Sequence, residues 1–437
     1  MNIDTVIHGF IAILAMIGLV GFGVHIGIAL TLVAFVGMAV LVSPSMALVT
    51  VKTVPYAFFS NYSLVIVPMF ILMGIVSSEA GIMKDLYNAM HKWLGRFRGG
   101  LLMVTVAASA AFGAVSGSTI VNATVFTRIA YPQMVRLGYK PGIGAAAIAC
   151  AGTLASLIPP SITFVIYAIL TEESIGQLLM AGLFPGILTT IIYMVGIGVC
   201  VRLFKDWAPD SSERISWSEK FRSLSQVWPV MVLSSLIIGG IYSGITPPSA
   251  AGGVGAVGAI IIVFLQRRMN LSGLWDCLKT TVRITSILCT VVIGGILFAR
   301  FLTAMGFITE LVTLIKSLGI GQFQFLLLVI VLFLFLGMFL DTVSILVITI
   351  PALHPIVTNL GIDPIWYAVI IVKLLEIAVV TPPVGINLFA VIAATDQDLP
   401  IGELFKGVIP FVIFDLITIF ILMLFPAICT WLPETMF

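Results

Sequence analysis

The chain has 437 residues, of which 60% are hydrophobic and only 9% are charged. A soluble protein of this length would carry more charge on its surface, so the composition excludes a soluble globular protein and predicts that most of the chain lies in lipid. The formal net charge of +2 gives no reason to expect a nucleic-acid partner. The five cysteines and four histidines lack metal-like spacing, so neither a disulfide framework nor a His or Cys metal site is expected.

The first apolar runs, at 6–22, 24–43 and 63–78, predict three spanning helices. No signal-peptide cleavage is expected after the first run, which should stay embedded as a span. The mixed residues 44–61 are predicted to form a connection at the membrane surface. Gly81–Arg96 has apolar residues at helical spacing but is too polar to span, which predicts a helix lying along the interface.

A run rich in Gly, Ala, Ser and Thr follows at 98–127, with Ser116-Gly117-Ser118-Thr119 in its middle. It is long enough for one span or for two half-length helices that dip into the membrane and return. We favour a re-entrant helical hairpin with this tetrapeptide at its tip, because residues 323–354 repeat the pattern around Gly337–Ser344.

A proline-broken helix is predicted at 141–170, because Pro159-Pro160 leaves backbone carbonyls without helical partners. Its counterpart at 365–394 is broken at Pro382-Pro383, and residues 177–204 complete the first half.

A tandem duplication explains these recurrences. The pairs that share an offset of 223 residues are Pro132/Pro355, Gly138/Gly361, Pro141/Pro364 and Pro159/Pro382. The first repeat then covers 1–204 and the second 229–437, and the densest charge in the chain lies in the linker at 205–228.

The orientation follows from counting spans and charges. Each half has five crossings if its hairpin counts as none, and this odd number inverts the second half relative to the first. With the linker in the cytoplasm, 17 of the 21 Lys and Arg residues lie inside, and both termini lie on the outer, periplasmic side. The inner segments are 80–98, 128–141, 202–228, 266–283 and 395–406. Counting the hairpins as full spans also gives an even total, so the charge bias supports this topology without deciding it.

Inverted repeats that each contain a broken helix are typical of secondary transporters, whose substrate and ion sites lie near the bilayer midplane. The predicted fold class is therefore an all-α polytopic membrane protein with two inverted-topology repeats. A channel is disfavoured because broken hairpins suit alternating access better than a continuous pore. An intramembrane enzyme is disfavoured because H-E-x-x-H, paired intramembrane aspartates and a Ser/His arrangement on spans are all missing.

Two blocks around the broken helices are distinctive: IPPSITFVIYAI with TEESIGQLLMAGLFPG, and GIDPIWYAVIIVKLLEIAVVTPPVGINLF. Weaker signals are FGAVSGST, PQMVRLGYKP and GGIYSGITPPSAA. In this order, over essentially the whole chain, these stretches resemble the large membrane subunit of tripartite ATP-independent periplasmic (TRAP) transporters. The chain departs from that family at Ser249, where an acidic residue is usual, and at Arg128, where a small residue is usual.

The resemblance implies a sodium-driven importer of a small carboxylate that works by an elevator motion in the bacterial inner membrane. C4-dicarboxylates, sialic acid and similar organic acids all fit this frame. The implied partners are a small four-helix membrane subunit and a periplasmic substrate-binding protein. No ATPase is implied, and no G-x-x-x-x-G-K-[ST] run is present. The alternative is a self-sufficient sodium/carboxylate symporter that needs no binding protein.

In an elevator, a transport part moves against a fixed scaffold. The predicted scaffold consists of residues 1–80 and 229–305. The predicted interfacial arm helices are 81–96 and 306–320, and the predicted transport part consists of 98–204 and 322–430.

Sodium candidates are the oxygen-bearing groups at the hairpin tips and helix breaks, because hard cations prefer oxygen ligands. The predicted sodium set is Ser116, Gly117, Ser118, Thr119, Asn122, Pro159, Gly337, Asp341, Thr342, Ser344, Thr381, Pro382 and Gly385. Asp341 is the only acid between 323 and 362, and an intramembrane carboxylate is costly unless it is paired. The alternatives are helix packing by the small residues, and a structural pairing of Asp341 with an Arg or an amide.

Substrate candidates lie at the same breaks and at the end of the first hairpin. The predicted substrate set is Arg128, Pro160, Ser161, Pro383 and Asn387. Arg128 suits a positive-inside anchor equally well, and the prolines are also compatible with simple kinks. Lys373 and Glu376 are three apart on one helix and are expected to pair, and Arg300 is expected to extend to the interface.

Overall fold

The computed structural model describes residues 3–209, 216–395 and 399–436, and regular structure within these ranges is helical throughout. The helices of the first half are α1 (Ile3–Gly21), α2 (Ile26–Leu41), α3 (Pro44–Phe59), α4 (Ile66–Glu79), α5 (Ile82–Leu94), α6 (Gly100–Ser116), α7 (Thr119–Arg136), α8 (Pro141–Thr153), α9 (Ile162–Thr171), α10 (Ile175–Ala181) and α11 (Leu183–Leu203). The helices of the second half are α12 (Trp217–Leu224), α13 (Trp228–Ser234), α14 (Gly240–Tyr242), α15 (Pro248–Leu265), α16 (Leu271–Ala304), α17 (Phe307–Ser317), α18 (Gln322–Gly337), α19 (Thr342–Asn359), α20 (Pro364–Ala378), α21 (Ile386–Ala394), α22 (Ile401–Leu424) and α23 (Ala427–Met436).

Three short turns adjoin these helices: 3₁₀ turns at Tyr62–Val65 and Leu154–Ser156, and a π-helical turn at Ser235–Gly239. Residues 210–215 of the predicted linker and residues 396–398 of the last predicted inner segment lie outside the described ranges.

Seven helical segments of the described chain are long and apolar enough to cross a membrane, and the bent pair Trp217–Leu224 and Trp228–Tyr242 makes an eighth if it counts as one span. Large hydrophobic side chains cover the outward surfaces of several of these segments, such as Leu14 on α1, Val195 on α11 and Phe420 on α22. Apolar surfaces of this extent mark faces that lie against lipid or another apolar partner. The all-helical polytopic membrane fold predicted from the composition is confirmed.

Two segments differ in detail from the expectation. Within 44–61, predicted to form a connection at the membrane surface, residues 44–59 are helical as α3, because Pro44 occupies the first helical turn, where proline is favoured. The helix then buries a stripe at helical spacing: Ala47, Thr50, Val54 and Phe58. The second arm of the first hairpin does not end at 127 but continues as α7 through Pro132 to Arg136. Membrane helices tolerate proline where neighbouring helices satisfy the freed backbone groups.

Helices α6 and α7 form a helical hairpin. The amide of Asn122 on α7 donates to the carbonyl of Ser109 on α6 at 3.1 Å, whereas 13 residues of uninterrupted helix would separate them by about 20 Å. The base of the hairpin closes where the Tyr139 hydroxyl accepts from the Leu101 amide, 38 positions away. Helices α18 and α19 close in the same way, because the Gln322 side chain donates to the Leu360 carbonyl, also 38 positions away.

The broken helices connect the two halves. Helices α8 and α9 are separated by residues 154–161, which include the 3₁₀ turn, and α20 and α21 by residues 379–385. Helix α9 packs against α19 of the second hairpin, and α21 packs against α7 of the first hairpin. The second segment of each broken helix therefore contacts the hairpin of the opposite half. Beside this assembly, α2, α4, α15 and α16 pack together, and we call them the scaffold helices.

The segments predicted to be cytoplasmic meet at one end of the molecule. Their contacts are Trp93 with Trp217 and Phe221, Lys140 with Asp206, Arg268 with Asp85, and Gly142 with Glu403. The hydrogen bond from Lys140 holds the pKa of Asp206 below its usual value. Such contacts are expected if all these segments lie on the same face of the membrane. That this face is cytoplasmic, and that the two halves are inverted repeats, remain predictions.

Labelling of single cysteines tests the topology. In a cysteine-free background, Arg136→Cys and Lys316→Cys should react with a membrane-impermeant maleimide from opposite sides, because they lie at the bases of oppositely inserted hairpins. Both positions are exposed. Lys279→Cys serves as a control and should label from the same side as Arg136→Cys. Labelling of Arg136→Cys and Lys316→Cys from one side would rule the inverted topology out.

A second prediction concerns the contact between the scaffold and the second hairpin. A Cβ atom on Gly295 of α16 would lie 1.6 Å from Cγ1 of the buried Val347 on α19. Gly295→Ala should therefore lower the free energy of unfolding by about 1–3 kcal/mol, measured as a lower midpoint of thermal unfolding in detergent. Gly253→Ala is the matched control, since its Cβ meets no atom within 4 Å. Equal midpoints for the two variants would contradict this close packing.

Candidate functional site

A cavity of about 180 Å³ lies where both hairpin tips, both broken helices and the scaffold helices meet. Its walls come from α4 (Ile71, Gly74, Ile75), the first hairpin (116–121), α9 (Ile162, Thr163), α16 (Ile284, Leu288), the second hairpin (341–343) and the second broken helix (Val379, Ile386, Asn387). Seven of the predicted site residues line it: Ser116, Gly117, Ser118, Thr119, Asp341, Thr342 and Asn387. Clusters that are more than 200 residues apart in sequence thus face one small space.

The first hairpin tip turns at Gly117, whose φ of +59° is readily adopted only by glycine. A Cβ atom there would also lie 2.6 Å from the Pro160 carbonyl oxygen of the first break. The tip leaves two buried oxygens, Ser116 Oγ and Asn122 Oδ1, without a hydrogen-bond partner among the described residues. Buried polar atoms are rarely left unpaired, so these two oxygens are candidates to bind a cation or a hydrogen-bond donor.

The second hairpin tip is organised by Asp341, the N-cap of α19. Its carboxylate accepts hydrogen bonds from the amides of Val343 (3.0 Å) and Ser344 (3.3 Å) and from the Ser344 hydroxyl. These donors and the positive end of the helix dipole stabilise its negative charge. Asp341 is therefore paired with backbone amides, while its side chain remains half-buried at the cavity wall.

The two breaks satisfy much of their own backbone. Ser161 accepts from the Phe164 amide and donates to the Ser156 carbonyl, which caps α9. Gly385, with a φ of +59°, precedes α21, and the Asn387 amide bonds across the second break to the Val379 carbonyl at 3.1 Å. The Thr381 hydroxyl donates to the Ile377 carbonyl, which leaves its lone pairs available. Both Pro159-Pro160 and Pro382-Pro383 are cis.

The remaining candidates lie behind or away from the cavity wall. Those outside its lining are Asn122, Pro159, Pro160, Ser161, Gly337, Ser344, Thr381, Pro382, Pro383, Gly385 and Arg128. Gly337 packs against α20, where an added Cβ would lie 2.0 Å from Ala378 Cβ. Arg128 is exposed on α7, nine residues and about 14 Å along the helix from Thr119.

Sequence reasoning missed two features. The apolar wall supplied by Ile71, Ile75, Ile284 and Leu288 carries no chemical signal that would separate it from any other span. The second feature is Asp415, which contacts Lys373, the expected partner of Glu376. Asp415 is the only acid in the apolar stretch 407–424 of α22, which is the same signal that identified Asp341.

The donor set suits an alkali cation. Among the described residues no group of three or more His, Cys, Asp or Glu converges, so a transition-metal site is not formed there. Hydroxyl, amide and carbonyl oxygens at the first tip and a carboxylate at the second are hard ligands of the kind that sodium takes. The unpaired oxygens of Ser116 and Asn122 are the atoms such an ion would satisfy.

Four helices begin at the cavity. Residues from the first turns of α7, α9, α19 and α21 all line it. Helix N-termini carry about half a positive charge each and present free amides, so their convergence favours an anion. The same cavity thus combines oxygens for a cation with positive dipole ends for an anion.

Comparison with known proteins fits this geometry. The family model described as "Tripartite ATP-independent periplasmic transporter, DctM component" matches residues 13–428. The chain is 34% identical, over 86% of its length and 87% of the relative's, to a C4-dicarboxylate TRAP transporter large permease protein of Pseudomonas aeruginosa. It is 31% identical to an ectoine/5-hydroxyectoine TRAP large permease of Ruegeria pomeroyi, over 97% and 98% of the two chains. A sialic acid TRAP large permease of Vibrio cholerae is 28% identical over 86% and 87%.

A solved structure shares the fold. The crystal structure of the Alcanivorax borkumensis YdaH transporter aligns with a TM-score of 0.59, covering 91% of this chain and 90% of that chain at 13% identity. The relatives are transporter permeases, which confirms that the chain is a transporter component and not an enzyme. The chain therefore belongs to the DctM family, the large membrane component of tripartite ATP-independent periplasmic transporters.

Proposed function

We propose that this permease imports a small carboxylate together with sodium ions across the bacterial inner membrane. The observation that carries the proposal is the single cavity to which both hairpin tips and both broken helices contribute. A cation held by tip oxygens and an anion held by helix N-termini would neutralise each other there. Each ligand would therefore raise the affinity for the other, which is the thermodynamic requirement for symport.

For sodium, the proposed ligands are the oxygens of the first tip and of the second. Ser116 Oγ and Asn122 Oδ1 lack other partners, and the Asp341 carboxylate supplies the negative charge. The backbone carbonyls of Pro159, Gly337 and Thr381 are further proposed ligands, because they stand at the two breaks and at the end of α18. Mixed hydroxyl, carbonyl and carboxylate coordination is usual for hard cations in proteins.

For the substrate, the proposed contacts are the first turns of α9 and α21, including Ser161 and Asn387. The named relatives carry C4-dicarboxylates, sialic acid, ectoine and, in Oleidesulfovibrio alaskensis, isethionate. These molecules share a small size and an acidic group. Backbone amides at helix N-termini bind an acidic group without contacting the rest of the ligand. The same binding site can therefore accept several substrates.

An elevator motion agrees with the composition of the cavity wall. On the scaffold side the wall is apolar (Ile71, Ile75, Ile284, Leu288), whereas the hydroxyl, amide and carboxylate groups lie on the hairpins and broken helices. A transport part that keeps the polar ligands can slide along an apolar scaffold without breaking hydrogen bonds to it. We propose that the hairpins and broken helices move as this unit.

The proposed partners are a small membrane subunit and a periplasmic binding protein, because the family is tripartite. Reconstitution tests this assignment. Uptake into proteoliposomes should need an inward sodium gradient together with both partners, and a potassium gradient should not replace it. Full uptake by this chain alone would instead identify a self-sufficient symporter.

A substitution at Asp341 tests the sodium assignment. Asp341→Asn keeps an N-cap, since Asn caps helices as well as Asp does, but removes the charge. The sodium concentration for half-maximal uptake should rise by roughly tenfold or more, as expected if one charge-assisted contact of about 1.5–3 kcal/mol is lost. Thr342→Ala and Ser118→Ala should shift the same curve less, because each removes a neutral oxygen.

Asp363→Asn is the matched control. Asp363 also caps a helix, accepting from the Trp366 amide at 2.7 Å, but it is exposed and lies outside the cavity. Its sodium curve should match that of the wild type. If Asp341→Asn behaves like Asp363→Asn, then Asp341 only caps α19 and the sodium site lies elsewhere.

A further inference from the structure

A second polar cluster lies in the core of the molecule, apart from the cavity. Lys373 Nζ donates to Glu376 Oε2 at 2.7 Å and to Asp415 Oδ1 at 2.6 Å. The Tyr193 hydroxyl donates to Asp415 Oδ2 at 2.8 Å, and Glu376 Oε1 lies 2.9 Å from Ser156 Oγ. We call these five residues the buried cluster. It joins α20, α22, α11 and the 3₁₀ turn after α8, and none of its side chains is accessible to solvent.

The cluster has one more acid than base. With both carboxylates ionised against a single ammonium group, it would hold a net negative charge in a fully buried site. Buried charges are tolerated only when they are compensated, and a lone one costs several kcal/mol. Among the described residues, Lys373 is the only basic side chain that pairs with either carboxylate. A proton is the remaining way to neutralise the cluster.

The hydrogen bonds around Ser156 indicate where that proton lies. The Ser156 hydroxyl has one hydrogen but faces two acceptors, the Thr153 carbonyl at 2.8 Å and Glu376 Oε1 at 2.9 Å. If Glu376 is ionised, one of these contacts has no hydrogen in it. If Glu376 Oε1 carries a proton, it donates to Ser156 Oγ while Ser156 donates to Thr153, and both contacts become hydrogen bonds.

Asp415 is the poorer position for the proton. Its Oδ1 accepts from Lys373 and its Oδ2 accepts from Tyr193. A proton on Oδ2 would force the Tyr193 hydroxyl to accept, and among the described residues that hydroxyl has no other acceptor for its own hydrogen. With Asp415 ionised, both of its carboxylate oxygens accept a hydrogen bond, one of them from the charged Lys373.

We propose that Glu376 is a resident proton-binding site and that its neutral carboxyl group links the two broken helices. Through Ser156 it holds the turn that precedes the first break, and Ser161, which caps α9, donates to the carbonyl of the same Ser156. The proton keeps the buried cluster electrically neutral while ions bind to the cavity and leave it. Glu376 acts as a positioning residue, because it lies outside the cavity lining.

The charged and titratable groups that face Glu376 influence the pH at which it loses its proton. They are Lys373 one turn earlier on α20 and Asp415 on α22, with Tyr193 of α11 and Cys150 of α8 next to Asp415. Raising the pH must eventually remove the proton and leave the cluster negative. The unfolded chain releases the same proton near pH 4.3, so stability should fall with rising pH across the range in which only the folded protein holds it.

Infrared difference spectroscopy on the purified protein at neutral pH tests the proposal. Subtracting the spectrum of Glu376→Gln from that of the wild type should reveal the carbonyl band of an un-ionised carboxylic acid. Glu403→Gln, which changes an exposed acid on α22, is the matched control and should leave that band unchanged. Ser156→Ala should shift the band to higher frequency, because the acid loses its acceptor. No band in the wild type, or a band lost in Asp415→Asn but kept in Glu376→Gln, would overturn the assignment.

Thermal unfolding gives an independent readout. Glutamine at 376 can donate to Ser156 and accept from Lys373, as the neutral acid does, but it cannot lose a proton. The midpoint of Glu376→Gln minus that of the wild type should therefore increase steadily as the pH is raised from about 5 to 9. A constant difference over this range would mean that Glu376 is already ionised, and the proposal would fail.

Discussion

Hydrocarbon offers no hydrogen bonds, so a helix that is interrupted inside a membrane must find protein partners for every backbone group it frees. This protein interrupts four helical elements, between α6 and α7, α8 and α9, α18 and α19, and α20 and α21. The interruptions meet around one cavity and are capped by side chains such as Ser161 and Asp341. The close packing of glycines makes this convergence possible, as where Gly117 contacts the Pro160 carbonyl. Neither half provides all these partners by itself.

The interlocking of the halves has an electrostatic consequence. Each break leaves a helix N-terminus at the cavity, and those of α7, α9 and α21, which have no acidic residue in their first turns, form a positive region suited to an anion. Asp341 and the unpaired oxygens of the first tip make the adjacent region suited to a cation. We propose that the two ligands are coupled because the bound cation and the bound anion neutralise each other's charge, so that each raises the affinity for the other. The buried cluster serves the same fold in another way, since it holds α20, α22 and the turn before the first break together without adding net charge.

The sequence predicted the breaks and hairpins because proline pairs and runs of small residues are local signals that recur at a fixed offset. It did not predict that the connection at 44–61 is helical, although Pro44 stands at a position where proline is favoured at a helix start. The capping role of Asp341 is readable in Asp341-Thr342-Val343-Ser344, whose spacing is that of an N-cap. The link from Glu376 to Ser156 spans 220 positions, and that from Tyr193 to Asp415 spans 222. No local sequence pattern predicts contacts between residues so far apart, so they are visible only in the folded structure.

In the proposed mechanism, the two hairpin tips form an ion-dependent site at this cavity. Electron cryomicroscopy of the protein in lipid nanodiscs, with sodium or with choline as the sole monovalent cation, tests it most directly. We expect density for an ion within coordination distance of Ser116 Oγ and Asn122 Oδ1, present in sodium and absent in choline. Identical maps around both tips in the two salts, or an ion bound away from the tips and breaks, would contradict it.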